Sequence, residues 1–260
     1  MGELMRLAVR GAGDRGAVLA AIAACPGVVA GADEAAEAIV VAGASREDAL
    51  AQTRAALASG RPTLCLTLPH DLATLDDLAD LAAKQGAALS LPNGLRYLPA
   101  MVALQGSVAR GETGPIIGVF AAWRTNRALA DPLDALGPAV FDLLGWCAPG
   151  AIARVQATAA PLFGPDRGAV ALTLRGRDDL VRTVELAASL PAGFEQTDEL
   201  LIEVLGEDAV LRAEPFNQAI TIAGGRERRR QQWGAAAFPP ILDAFVGALR
   251  AGRALPGTPA

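Results

Sequence analysis

The run Gly11-Ala12-Gly13-Asp14-Arg15-Gly16 constrains this chain more than any other feature. It has the spacing G-x-G-x-x-G, follows a short apolar run at residues 4–9, and opens a helical stretch over about residues 15–25. Glycines so placed permit a tight turn, close approach of the backbone to an anion, and close packing of helix on strand. Strand, glycine turn and helix form the first half of a strand–helix–strand unit, with an anion held at the helix N-terminus. The competing reading is a turn that keeps the strand–helix packing and binds nothing.

The pattern continues after this turn. Residues 38–42 form a buried-strand run, and Ser45-Arg46-Glu47-Asp48 opens a helix that runs to about Ser59 and ends at Gly60. Residues 62–68 read as a strand. Thr74-Leu75-Asp76-Asp77 has capping-box spacing, which predicts Thr74 as the N-cap of a helix reaching Gly86. Residues 87–91 read as another strand. Strands separated by helices imply a parallel sheet covered on both faces. After Pro92 come a helix at 99–110, a strand near 116–123 and a helix at 133–147. Strand-like runs follow at 151–159, 168–174, 182–188, 200–205 and 209–213, with turns such as Gly206-Glu207-Asp208 between them. A last helix is expected at 241–251. The fold class is therefore α/β. A truncated Rossmann-like parallel-sheet domain (residues 1–91) precedes an α+β domain with a mostly antiparallel sheet (residues 92–260).

Composition narrows the function. Hydrophobic residues make up 52% and the net charge is −5, which excludes a disordered chain and argues against a nucleic-acid partner. Cys25, Cys65 and Cys147 lack metal-ligand spacing, and the single histidine, His70, cannot complete a zinc site, so no metal is expected. Three buried, reduced thiols suit a cytoplasmic protein. The first residues do not read as a secretion signal. The apolar stretch 17–32 is interrupted by Pro26-Gly27 and too short for a bilayer, so no membrane association is expected.

Several further segments follow in a telling order. They are Asp33-Glu34-Ala35-Ala36-Glu37-Ala38-Ile39-Val40-Val41, Ala55-Ala56-Leu57-Ala58-Ser59-Gly60 and Leu95-Arg96-Tyr97-Leu98-Pro99. After them come Gly111-Glu112-Thr113-Gly114-Pro115-Ile116, residues 137–146 and residues 238–252. With the glycine fingerprint, they give a chain that resembles the Gfo/Idh/MocA oxidoreductases over nearly its whole length. The resemblance implies NAD(P), with Gly11, Gly13, Asp14, Arg15 and Gly16 at the cofactor. It also implies a homo-oligomer assembled through the C-terminal sheet.

Four departures touch chemistry. Where the family carries Glu-Lys-Pro, this chain has Cys65-Leu66-Thr67-Leu68-Pro69. The family's helix histidine falls at Ala139, while Asp142 is kept. A methyl group transfers no proton, and general acid–base catalysis contributes roughly 10²–10⁴-fold. Asp33 lies at about the distance of a ribose-binding acid from the fingerprint. If residues 27–32 were the second strand, only about five residues would separate Asp33 from the strand at Ala38, against the dozen or so that neighbouring parallel strands need. The economical reading is a deleted strand–helix segment, which takes the usual adenosine-side pocket with it and weakens the case for NAD(P). Finally, the sequence stops at Ala260, where family members usually continue.

Candidate catalytic residues are Asp142, Tyr97 and His70. Arg96 and Asn93 are candidates for a substrate or anion, since Arg96 can hold a carboxylate or phosphate with a bidentate fork. The competing reading of Arg96 is an ordinary ion pair, with Asp142 as a candidate partner. Arg124 and Arg127 are weaker candidates, and residues 226–230 read as a solvated loop. The expected function is an oxidoreductase-like protein that has lost hydride transfer, acting as partner subunit of an active paralogue or as a small-molecule binder. The alternative is a working NAD(P)-dependent oxidoreductase on a sugar-like or polyol-like substrate, with Asp142, Tyr97 or His70 as the acid.

Overall fold

Every residue of Ala38-Ile39-Val40-Val41 is buried, as only a strand sandwiched between two helical layers requires. The computed structural model describes residues 4–258, apart from 12, 70, 163, 192, 194–196 and 235–237. In chain order the first elements are β1 (Met5–Arg10), α1 (Arg15–Ala24), β2 (Val28–Ala30), β3 (Ala38–Val41), α2 (Arg46–Leu57), β4 (Thr63–Cys65), α3 (Leu72–Gln85) and β5 (Leu89–Ser90). A 3-10 turn (Gly94–Tyr97) leads to α4 (Pro99–Ala109), β6 (Ile116–Thr125) and α5 (Pro132–Cys147). Next come β7 (Ile152–Pro161), β8 (Gly168–Gly176), β9 (Val181–Ala187), β10 (Asp198–Gly206), β11 (Ala209–Glu214), β12 (Ala219–Gly224), β13 (Glu227–Gln232) and α6 (Phe238–Arg250). Two compact units result: Met1–Tyr97 with Ala236–Ala260, and Leu98–Ala235.

The first unit holds a five-stranded, all-parallel sheet in the order β2-β1-β3-β4-β5. Successive side chains of a strand point to opposite faces. Leu7, Val9, Ala38, Val40 and Leu64 therefore meet α1 and α6, whereas Ala8, Ile39, Val41 and Cys65 meet α2 and α3. Within α6, Leu242 and Phe245 are completely buried. Burial of each such side chain contributes roughly 1.5–3 kcal/mol. This corrects the domain assignment, which ran the second domain to the C-terminus. The last helix belongs to the first unit because its apolar stripe completes that unit's core.

β2 and β3 are not neighbours, as the short connection between them predicted; β1 lies between. Their registers explain how residues 31–37 suffice. β2 pairs with Met5, Arg6 and Leu7, β3 with Leu7 to Arg10, so Ala30 and Ala38 both stand beside Leu7. The chain crosses β1 sideways and has no need to run back along the sheet.

Helix starts follow local chemistry. Asp14, Ser45 and Asp71 accept the Ala17, Asp48 and Thr74 N–H groups at 3.1, 3.1 and 2.7 Å. Asp71, not Thr74, thus caps α3, which gains most of a turn over the expected start. An acidic cap also complements the helix dipole. All three cysteines are free and buried. Cys25 donates its thiol to Asp243 Oδ1 at 3.1 Å, and burial together with that carboxylate raises its pKa from 9.0 to about 11. A folded pKa above the unfolded one stabilises below the unfolded value and ceases to do so as pH rises through the folded value. The stability difference between the parent and Cys25→Ala is therefore expected to be constant below pH 9 and to shrink towards about pH 11. Urea titrations across that range check it.

The second unit holds an eight-stranded sheet in the order β13-β12-β11-β10-β6-β9-β8-β7, antiparallel except where β6 and β9 run parallel. α4 and α5 pack against this sheet. Buried Val119, Ala121, Leu200, Ile202, Val204 and Leu211 form one of its faces. The other face carries cross-strand ion pairs, Arg124–Glu185 at 3.6 Å, Arg212–Glu203 at 3.5 Å and Arg230–Glu214 at 3.6 Å. Residues 227–230, expected in a solvated loop, lie in the edge strand β13, joined to β12 through a Gly225-Arg226 turn. Solvated they are, but they form a strand. Among the described residues no helix is long and apolar enough to cross a membrane.

Candidate functional site

The glycine turn is shaped by what lies beneath it. Gly11 has φ +96°, a left-handed conformation, and a Cβ there would run into the Ala42 carbonyl. A Cβ on Gly13 would meet the Gly43 and Ala42 carbonyls. The Gly13 N–H donates to Ala42 O at 2.8 Å, and the Arg15 N–H to Gly13 O at 2.6 Å. These two glycines are thus required by the loop that follows β3. Gly16 is different: the nearest atom to its would-be Cβ is Asp14 Oδ1 at 4.0 Å.

Asp14 sets the electrostatics of this turn. Its carboxylate occupies the N-cap of α1 and answers the Ala17 N–H. A helix N-terminus carries roughly half a positive charge, and here the chain's own acid neutralises it. A pyrophosphate approaching this turn meets a carboxylate and a Gly13 N–H already bonded to Ala42.

Beside the turn lies a groove of about 470 Å³, lined among others by Arg10, Gly11, Arg15, Gly31, Asp33 and Gln52. Arg10 Nε donates to Asp33 Oδ2 at 2.8 Å, and the Asp33 carbonyl accepts from Arg61. Asp33 therefore sits just past β2, at the site suited to a ribose-binding acid, with its carboxylate held by Arg10. The space here is of a size ordinary for ligand sites. Arg10 and Gln52 were not singled out from sequence. Nothing in the residues before a fingerprint, or midway along a helix, signals that they share a groove.

The other candidates lie on separate elements. Asn93, Arg96 and Tyr97 gather at the 3-10 turn after β5. The buried Asn93 accepts the Leu95 N–H on its Oδ1 at 3.2 Å and the Arg96 N–H on its carbonyl at 3.1 Å, which shapes the turn. Tyr97 packs against the α1–α6 core cluster. None of the three lines the groove beside the glycine turn. Asp142 lies half-buried on α5 of the second unit, as does Ala139. Arg124 pairs with Glu185, and Arg127 with Asp198 at 3.0 Å. His70 lies outside the described residues. Among the described residues no group of three or more His, Cys, Asp or Glu is placed to hold a metal ion.

No family model and no curated protein matches the chain. Solved structures do. A dehydrogenase from Chromobacterium violaceum superposes with a TM-score of 0.82 at 14% identity, over 99% of this chain and 91% of that one. An oxidoreductase from Agrobacterium radiobacter, in complex with NAD+, L-tartaric acid and magnesium, gives 0.79 at 13%, covering 98% and 91%. A levoglucosan dehydrogenase in complex with NADH and L-sorbose gives 0.79 at 12%, covering 99% and 92%. At 12–14% identity these likenesses show a shared fold, with a parallel-sheet unit and a unit built on a mostly antiparallel sheet, common to this chain and those solved oxidoreductases and dehydrogenases.

Proposed function

We propose that this chain has kept the oxidoreductase fold but lost hydride transfer, and acts in the cytoplasm as a small-ligand binder or as partner subunit of an active paralogue. The observation that carries this reading is the glycine turn, whose Gly13 N–H is bonded to Ala42 and whose helix N-terminus is occupied by Asp14. The strand order supports it. A doubly wound dinucleotide-binding sheet runs 3-2-1-4-5-6, and the order here, 2-1-3-4-5, is compatible with loss of strand 3 from it, as it is with the flavodoxin-like order. Ala139 and Leu68 offer no proton-transfer group where the resemblance calls for one. Assembly is proposed through the ion-paired open face of the second unit's sheet.

The alternative is an active NAD(P)-dependent oxidoreductase on a sugar-like or polyol-like substrate. The open groove at Arg10, Arg15 and Asp33 favours it. The variant Leu68→Lys with Ala139→His separates the two. Leu68 is half-buried in the loop after β4, so a lysine there can reach water. Hydride transfer needs the nicotinamide oriented on the substrate, and orientation supplies roughly 7–11 kcal/mol of barrier reduction. Restored acid–base groups do not provide that. Neither the parent nor the double variant is expected to turn over polyols or sugars with NAD or NADP. Robust turnover by the double variant would show an intact cofactor site.

A further inference from the structure

The second unit's sheet has two free edges, and they are built differently. β13 presents Glu227, Arg228, Arg229 and Arg230, the kind of charged edge that repels further strands. β7 presents ten exposed residues with Arg154 as its one charge, and Val155 is 57% exposed. The β7 backbone is set up to pair. Leu162 N–H donates to the Arg167 carbonyl directly opposite at 2.6 Å, and the same register continues through Ala160↔Ala169 and Gln156↔Thr173. In an antiparallel ladder the hydrogen-bonded pairs alternate. Even-numbered residues of β7 from 154 on thus bond to β8, and Val155, Ala157 and Ala159 turn their N–H and C=O groups to the open edge. A bulge before Arg154 and the imino nitrogen of Pro161 bound this stretch.

We propose that β7 pairs antiparallel with β7 of a second copy, about a twofold axis at Ala157, to give one sheet continuous through two protomers. That axis sets Ala157 against itself and Val155 against Ala159 of the second copy, all as hydrogen-bonded pairs. Arg154 falls opposite Ala160, so the two arginines lie about 20 Å apart, well beyond the ~8 Å screening length at physiological salt. Pairing of β7 with β13 instead would bring Arg154 against three arginines and leave an open-ended chain. Charge therefore selects a second β7. This edge pairing is independent of the face-to-face assembly proposed above.

Three variants test it by light scattering and non-reducing gels at micromolar concentration. Ala157→Pro removes an edge N–H without touching the ladder to β8, where proline is tolerated. It is expected to halve the mass of the assembly with an unchanged circular dichroism spectrum. Ala157→Cys is expected to give a disulfide-linked dimer on oxidation, since hydrogen-bonded pairs stand about 5.5 Å apart at Cα and the native thiols are buried. Leu201→Glu, on the open sheet face, is expected to leave the cross-link of Ala157→Cys intact. A monomeric parent, an unchanged mass for a folded Ala157→Pro, or no disulfide-linked dimer from the oxidised Ala157→Cys protein overturns the proposal. If Ala157→Pro misfolds, the cross-link decides.

Discussion

Gly13→Ala is expected to destabilise the protein by about 3 kcal/mol, and Gly16→Ala to leave it unchanged or stabilise it by about 0.5 kcal/mol. A methyl at position 13 is driven into the carbonyls of Ala42 and Gly43, whose positions are fixed by buried β3 and by the start of α2. Overpacking against backbone forces a shift of the chain, and here that shift also breaks the Gly13 N–H bond to Ala42. At position 16 a methyl meets nothing nearer than Asp14 Oδ1 and removes the entropy penalty of glycine in a helix. Urea unfolding of the two variants checks the contrast. Equal tolerance at both positions would mean that the turn does not rest on the loop after β3. The contrast matters for function because it separates glycines kept for packing from glycines kept for a ligand.

Arg182→Ala is expected to cost about 3–5 kcal/mol. Arg182 is 1% exposed, and its Nη2 donates to the Ala148 carbonyl at the C-terminus of α5 at 2.7 Å. A cation at that end complements the helix dipole, but Nη1 has no hydrogen-bond partner among the described residues. Arg182→Met keeps the volume and removes the buried charge and its orphan donor, losing only the cap. It is expected to cost about 1 kcal/mol. Denaturant midpoints order the series as parent, methionine, alanine. A methionine variant as unstable as the alanine one would place the stabilisation in the charge instead of the packing.

Much of this architecture was legible because burial on two faces writes an unbroken apolar run, as at residues 38–41, and because Gly60 and Gly86 mark helix ends. What was not legible has specific causes. β2 is three residues long, and its offset from β3 is a matter of register, which single-strand composition does not encode. α6 reads as an amphipathic helix in any context, and its membership of the first unit depends on the shape of the α1 face. β13 is so rich in arginine that it looks like a loop, since an edge strand exposed throughout carries no alternation. At the candidate site, the fingerprint announced a turn and a helix. That the Gly13 N–H bonds to Ala42 and that Arg10 holds Asp33 are contacts between segments 20 to 30 residues apart, which no local pattern shows.

On the proposed function, the glycine turn no longer serves a dinucleotide. Calorimetric titration with NADH and NADPH tests it most directly, with the circular dichroism of the same sample confirming the fold. The turn offers a pyrophosphate a carboxylate at Asp14 and an engaged N–H at Gly13, so no saturable heat is expected up to about 0.1 mM, an affinity weaker than about 5.5 kcal/mol. Saturable binding of either cofactor within that range contradicts the account.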